Sequence, residues 1–303
     1  VNLIEEGLAV GIPAPTEDAL RSVRPSRVHD VWARGKDFYE ADVLAATAIG
    51  EAFPLQQTAV DITREYGAWS VHCLAERGFT QFLDLGSGFP PSRRQDVPAI
   101  LSLSTHEIAH RVQPEARVVY VDVDHDVIAH SRVLYVGRTS GPEPAAVLAD
   151  ITHMRSLIGR LTSGRLLDFA SPVAVLLHDV LPWIEDGPVQ ELMADLRDLL
   201  PADSAVSVSH ATARLRAPGV RRVPTVYRAH GIAYRQRRLS TLRPLFGAWP
   251  DLRGGARVAL APAARYHREH SRYQDPVHLS SAYAGIAVKP PRIARTRTEG
   301  PSQ

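Results

Sequence analysis

The stretch Phe82-Leu83-Asp84-Leu85-Gly86-Ser87-Gly88-Phe89-Pro90 decides how the rest of the chain is read. Apolar residues and one acid run straight into a Gly-x-Gly turn, the pattern of a buried parallel strand ending at a nucleotide-type cofactor. Asp84 closes the strand, and Gly86 and Gly88 let the backbone bend close to a ligand. A motif of this length fits a plain tight turn equally well. The sequel favours the cofactor: Arg117-Val118-Val119-Tyr120-Val121-Asp122 is a second β-branched and aromatic run ending in an acid, and it follows a helix-length interval as a βαβ unit requires. Asp122 is there placed to accept hydrogen bonds from both hydroxyls of a ribose.

Further along, the pattern repeats. A third strand over 145–148 runs to Asp150, with Ile151 beside it, where an acid takes the exocyclic amine of an adenine and an apolar side chain packs on the ring. Asp84, Asp122 and Asp150 then form a series of carboxyl-end acids on one sheet. The run 172–177 is apolar throughout, so it reads as a fourth strand buried on both faces. It opens onto His178, Asp179 and Trp183. A helix over 188–200 and a fifth strand over 205–209 lead to His210. His178, Asp179 and His210 are the candidate bases, with a hydrogen-bonded structural role as the alternative for the two histidines. Residues 257–260 and 285–288 read as a closing antiparallel pair.

On the N-terminal side, 60–78 is an amphipathic helix with Ile62, Tyr66, Trp69, Cys73 and Leu74 at helical spacing. A helical pattern also covers 38–53. Between 25 and 42 charged and aromatic residues alternate around Gly35. Lys36 is one of two lysines, with Lys289, in a chain whose lysines and arginines total 35. A lysine kept beside a glycine and an acid marks Lys36 and Asp37 as candidates for the cofactor mouth. Residues 1–24 read as a flexible lead-in, 25–291 as one domain and 292–303 as a polar tail.

Composition narrows the class. The 303 residues are 45% hydrophobic and 22% charged with a formal net charge of +2, which is ordinary globular usage. The lone cysteine, Cys73, excludes an internal disulfide and a multi-cysteine metal site. His106 and His110 share a helix face but lack a third ligand nearby, and the acids Asp122, Asp124 and Asp126 lack the glycine and glutamate of a calcium loop, so no metal is expected. No apolar run approaches membrane-spanning length, and Glu5 and Glu6 stand where a signal peptide is basic, so a cytoplasmic protein is expected. The segment 211–243 is dense in arginine, which suits an anion or a nucleic acid, with a solvated helix face in an arginine-biased composition as the alternative. No RNA-binding motif is present and the near-neutral chain argues against a nucleic-acid partner; no membrane partner is expected either.

Taken together, these blocks resemble the actinobacterial S-adenosylmethionine-dependent methyltransferase family long catalogued as a domain of unknown function. Arg34-Gly35-Lys36-Asp37 is similar to its Gly-Gly-Lys-Asp signature, 82–90 to its Phe-Leu-Asp-x-Gly-x-Gly-x-Pro block, 118–124 to its Val-Tyr-Val-Asp-Asn-Asp, and 209–212 to its Ser-His-Ala-Thr. The resemblance implies an α/β, class I methyltransferase (Rossmann-like) fold. Its seven-stranded sheet is mostly parallel, with an antiparallel closing strand and helices on both faces. It implies S-adenosylmethionine across Gly86, Gly88, Asp122 and Asp150. Arg34, Phe38-Tyr39, Val123 and Pro182 depart from the family pattern.

Two functions follow as expectations. The first is methyl transfer to a small molecule of natural-product metabolism, with Tyr39, Trp183 and Arg34 shaping the substrate pocket. The alternative is a repurposed homologue, like the aziridine-forming protein of azinomycin biosynthesis. Such an enzyme closes a ring with loss of an anion such as sulfate, stabilised by Arg235 and Arg238, in complex with a small partner protein. A non-catalytic cofactor-binding scaffold is a third reading.

Overall fold

In the computed structural model, which describes residues 17–135, 137, 141–215, 217–267 and 279–291, seven strands form one sheet. They are β1 (Gln81–Leu85), β2 (Arg117–Asp122), β3 (Ala145–Leu148), β4 (Ala174–His178), β5 (Ala205–Ala211), β6 (Ala261–Pro262) and β7 (Ala282–Val288). Their order is β3-β2-β1-β4-β5-β7-β6. The first five pair in parallel, β7 runs antiparallel to β5, and β6 antiparallel to β7. The order reverses between β1 and β4, which is where an open α/β sheet parts to admit a ligand.

Alternation along the strands makes the sheet two-faced. Leu83, Val119, Val121, Val175, Leu177 and Val206 point to one side, where they pack against α7 (Met154–Ser163) and α8 (Asp186–Leu199). Phe82, Val118, Tyr120, Ala174 and Leu176 point to the other, against α4 (Gln56–Glu76) and α5 (Thr105–His110). α6 (His125–Tyr135) follows β2 and adds Tyr135 to the second of these faces, and α1 (Glu17–Arg21), α2 (Pro25–Trp32) and α3 (Glu40–Ala52) precede the sheet in the chain. Val28, Ala45 and Ile49 of α2 and α3 pack with Val223 and Tyr227 of α9 (Val223–Ala229); the short α10 (Leu239–Leu242) follows.

The N-terminal helices are tied to the sheet by charge. The Arg24 guanidinium donates to Asp124 at 2.9 Å and to Asp126 at 3.3 Å, and the Ser26 hydroxyl donates to Asp124 at 2.6 Å. The first turn of α2 is thereby clasped to the start of α6, just beyond the carboxyl end of β2. At its other end α2 stops in a Schellman turn: the Arg34 N–H donates to Val31 O and the Gly35 N–H to Asp30 O.

Several boundaries differ from the sequence reading. β4 begins at Ala174 and takes in His178, and β5 continues through His210 to Ala211. The run 257–260 does not form β6. The Val258 N–H donates to Trp249 O and the Ala259 N–H to the Asp251 carboxylate, so those backbone groups are already spent when β6 starts at Ala261. The expected tail over 292–303 and residues 1–16 of the expected lead-in lie outside the described residues; 17–21 are helical.

Candidate active site

The site grows from the turn after β1. Gly86 and Gly88 have φ of 69° and 66°, the left-handed region that a side chain disfavours. At Gly86 a Cβ would also stand 2.2 Å from Cγ2 of Val180, so that position must be glycine on two counts. The Gly86 N–H donates to Val121 O, and the Gly88 N–H donates to Oδ2 of Asp122 at 3.0 Å. Oδ1 of Asp122 accepts the Asp124 N–H at 2.9 Å. Each carboxylate oxygen thus holds one backbone donor and keeps lone pairs for a ligand. Burial pushes the Asp122 carboxyl above its ordinary pKa, against the lowering effect of those donors.

Two cavities meet at this turn. The outer one, about 820 Å³, is lined at one end by Asp150, Ile151 and Thr152, in the middle by Asp122 and the glycine turn, and at the other end by Trp183 and Glu185. The inner one, about 160 Å³, lies between α4 and the end of β1 and is lined by Arg64, Gly67, Asp84, Thr105 and Asp30 among others. Ser26, His29, Gly86, Gly88, His178 and Asp179 line both.

The inner cavity carries opposite charges without exposing them. Asp84 accepts the Thr105 hydroxyl at 2.7 Å, and burial raises its pKa to about 6. Arg64 donates to Leu101 O at 2.7 Å, and burial pulls its pKa below the ordinary arginine value. His29 is driven by burial, then by Arg64, to about 4, so it is neutral at pH 7.

At the junction, His178 and Asp179 close β4. Asp179 has φ of 56°, a left-handed conformation rare outside glycine. Its N–H donates to Ser209 O at 3.1 Å and Ser209 Oγ at 3.0 Å, and its carbonyl accepts Nε1–H of Trp183 at 2.8 Å. These bonds hold the strained backbone. Its carboxylate has no hydrogen-bond partner among the described residues, and burial raises its pKa to about 7. His178 is lowered by burial to about 4.

Of the predicted site residues, Gly86, Gly88, Asp122, Asp150, Ile151, Trp183, His178 and Asp179 line the outer cavity and Asp84 the inner one. Asp150 already accepts the Thr152 N–H at 2.8 Å and hydroxyl at 2.7 Å through Oδ1. The others stand elsewhere. His210 is fully buried and lines neither cavity: Nδ1 bonds Ala211 O at 2.7 Å and Nε2 accepts from Arg237 at 3.0 Å. Arg34, in the left-handed region at φ of 57°, forks onto Asp61 at 3.0 and 2.8 Å. Tyr39 lies under the Arg27 guanidinium, 4.6 Å from ring centroid to Cζ. Lys36 is exposed, and Asp37 donates its N–H to Asp30 and pairs with His130 at 3.3 Å. After the Schellman turn at the end of α2, none of Arg34, Lys36, Asp37 and Tyr39 lines either cavity; Asp37 stands behind Asp30 of the inner wall.

The arginine cluster is likewise absent from the cavity walls. Arg235 pairs with Glu185 at 2.6 Å, and Arg238 is exposed beside Arg214 and Arg221 on a separate groove. Arg237 is the structural member: it donates to Leu181 O, Ile184 O and Asp186, fixing the loop that carries Trp183.

Residues the sequence reading passed over are Ser26, His29, Arg64 and Thr105. No local pattern singles out Arg64 inside an amphipathic helix; Ser26 and His29, three apart on α2, share one helix face.

The model of the S-adenosyl methyltransferase family matches residues 15–290. The chain belongs to that family. Two solved structures are similar over nearly their whole length. A protein of the DUF574 family from Streptomyces avermitilis is 27% identical with a TM-score of 0.76, covering 89% of this chain and 99% of that one. A protein from Thermobifida fusca is 26% identical with a TM-score of 0.76, covering 89% and 96%. No curated protein matches. The chain is therefore a methyltransferase-fold enzyme with S-adenosylmethionine as its cofactor. The residues present fit that group: spare Asp122 lone pairs suit a ribose, the Asp150–Thr152 corner suits an adenine, and Asp84 with Arg64 suits a zwitterionic amino-acid end. Among the described residues no helix is long and apolar enough to cross a membrane.

Proposed function

We propose that this chain methylates a small molecule of specialised metabolism, with Asp179 as the general base. The observation that carries the reading is the Asp179 carboxylate, unpartnered and held in a left-handed backbone at the point where both cavities meet. Bound S-adenosylmethionine supplies a methyl group already activated by its sulfonium leaving group. The chain's own residues have two tasks, to align the acceptor and to take its proton. Alignment falls to the Trp183 ring and to the Val180–Gly86 contact that sets the width of the junction. The proton passes to a carboxylate oxygen of Asp179, whose pKa near 7 gives a base that is both substantially ionised and usefully strong at neutral pH. His178, at about 4, is too weak a base for that step but is a neutral hydrogen-bond acceptor.

The ring-closing reading rests on Arg235 and Arg238, which line neither cavity, and the guanidinium groups that do line them are already engaged, Arg24 with Asp124 and Arg64 with Leu101 O, so methyl transfer is the better supported.

Calorimetric titration with S-adenosylmethionine and with its demethylated product tests the cofactor half. Micromolar binding of both supports it, and a panel of small hydroxyl- and amine-bearing metabolites then reads methyl transfer by mass. Absence of binding overturns it.

A further inference from the structure

His178 does not hang freely into the junction. Its Nε2 lies 2.9 Å from the Ser207 hydroxyl and 3.3 Å from the Ser70 hydroxyl, and Ser207 lies 3.0 Å from the Tyr66 hydroxyl. Counting protons along this chain fixes the tautomer. The Tyr66 O–H donates to Gly285 O at 2.9 Å, so its oxygen accepts from Ser207. With its one proton spent on Tyr66, Ser207 accepts from His178. Ser70 gives the same answer independently: its O–H donates to Gly67 O at 2.8 Å, so it too accepts from Nε2. The proton of His178 therefore sits on Nε2, and Nδ1 carries a lone pair.

That lone pair is on the side of Gly67 of α4, which lines the inner cavity: a Cβ there would stand 3.2 Å from Nδ1, and Nδ1 has no protein partner among the described residues. Glycine at this point leaves the nitrogen open. Tyr66, fully buried, also packs edge-on to the imidazole with ring centroids 5.6 Å apart, so the ring has little freedom to turn over. Across the same cavity stand Asp84 and Arg64. An unprotonated nitrogen and a carboxylate are acceptors for a group with several N–H donors, and the guanidinium matches the carboxylate that accompanies it in an amino acid.

We infer that Tyr66 and Ser207 lock His178 as its Nε2–H tautomer, so that Nδ1 is a fixed acceptor for the α-ammonium group of the cofactor's methionyl end. The inference rests on the methyltransferase reading for its ligand, and on hydrogen-bond geometry alone for the lock. The low pKa of His178 agrees with it, since a protonated ring has no acceptor to offer. Tyr66 and Ser207 are positioning residues; they act on the ligand through the imidazole.

The lock is read without any ligand, by long-range ¹⁵N–¹H correlation on protein labelled at histidine, the His178 signals being those lost in His178→Phe. The expected spectrum has a pyrrole-type Nε2 and a pyridine-type Nδ1. In the double variant Tyr66→Phe with Ser70→Ala, which frees the Ser207 proton and removes the second acceptor, the Nδ1–H form should appear. The ligand is read by calorimetry with S-adenosylhomocysteine and its analogue lacking the α-amino group. His178→Phe should weaken the first about tenfold, the worth of one hydrogen bond to a charged group, and leave the second within about twofold. Gly67→Ala should do the same by crowding Nδ1, its gain in helix propensity offsetting part of the strain of a 3.2 Å contact, and a melting temperature close to that of the unaltered protein guards against a folding artefact. An Nδ1–H tautomer in the unaltered protein, or equal weakening of both ligands, overturns the inference. If the unaltered protein binds neither ligand, the cofactor reading fails and the ammonium assignment with it, while the nitrogen spectrum still judges the lock.

Discussion

The backbone N–H of Gly88 donates to the carboxylate of Asp122 at 3.0 Å, so the turn that ends β1 is held by the acid that ends β2. One side chain thereby shapes the glycine turn and offers its remaining lone pairs to the outer cavity. Replacing Asp122 with alanine should weaken S-adenosylhomocysteine binding about 100-fold, the sum of two hydrogen bonds to a charged group. Calorimetry checks this, and unchanged affinity would remove Asp122 from the cofactor site.

Asp179→Asn tests the base. Asparagine tolerates the left-handed backbone and keeps the shape, but it takes no proton, so kcat should fall by about 10² to 10⁴. In the unaltered enzyme kcat/KM should rise with pH and level off above about 7, as the carboxylate ionises. Stability has the opposite sign. Between the ordinary carboxyl pKa of 3.8 and about 7 the folded chain keeps a proton that the unfolded chain has lost, so this group's contribution to stability falls as pH rises through that window. The melting-temperature advantage of Asp179→Asn over the unaltered protein should be larger at pH 8 than at pH 4.

Arg34 separates fold from function. Its left-handed backbone is disfavoured for arginine by about 1–2 kcal/mol, but its fork onto the buried Asp61 offsets that. Arg34→Gly relieves the backbone and removes the fork from the Asp61 carboxylate, which keeps Gln57 Nε2 at 3.3 Å. With about 3–5 kcal/mol at stake when a buried pair loses one partner, discounted because Arg34 is partly exposed and Asp61 keeps Gln57, the net loss should be about 1–2 kcal/mol by denaturant melts. Affinity for S-adenosylhomocysteine should stay within about twofold, because Arg34 lines neither cavity.

Gly86→Ala should be damaging in both respects. The new methyl would stand 2.2 Å from Val180 in a conformation alanine disfavours, so either β4's exit or the turn must move. A melting temperature lowered by several degrees together with lost cofactor binding is the expected outcome. Gly88→Ala has open space at its Cβ, so it should keep more of the stability while meeting the same φ penalty.

The segments legible in the sequence were those whose chemistry is local. A β-branched run with an acid at its end reads as a strand and an edge group in any context, which is why Asp84, Asp122 and Asp150 fell at the carboxyl ends of β1, β2 and β3. Helices on both faces were expected from the family resemblance, and Leu83 and Val119 on one side with Phe82 and Val118 on the other supply the two apolar faces that they cover. Lys36, Asp37 and Tyr39 were misplaced because the direction of a side chain after a helix depends on how the helix ends. Here the Schellman turn aims them toward Asp30, His130 and Arg27. For His210 the structure favours the structural alternative, and Arg235 and Arg238 stand away from the cavities, for a related reason: a residue type states what a group can bond, and the neighbours decide what it does bond.

By itself, then, the sequence determined the first five strands, the glycine turn and the carboxylates that end the first three strands, because hydrophobic periodicity and backbone sterics act over a few residues. Tertiary structure alone decided that Arg64 of α4 and Asp84 of β1 share a cavity, that Asp179 is left unpartnered where two cavities meet, and that Tyr66, Ser207 and Gly285 line up behind His178. Tyr66 and Gly285 are separated by 219 positions in the chain. Such contacts depend on which helix packs on which strand, and no local pattern in the chain specifies that pairing.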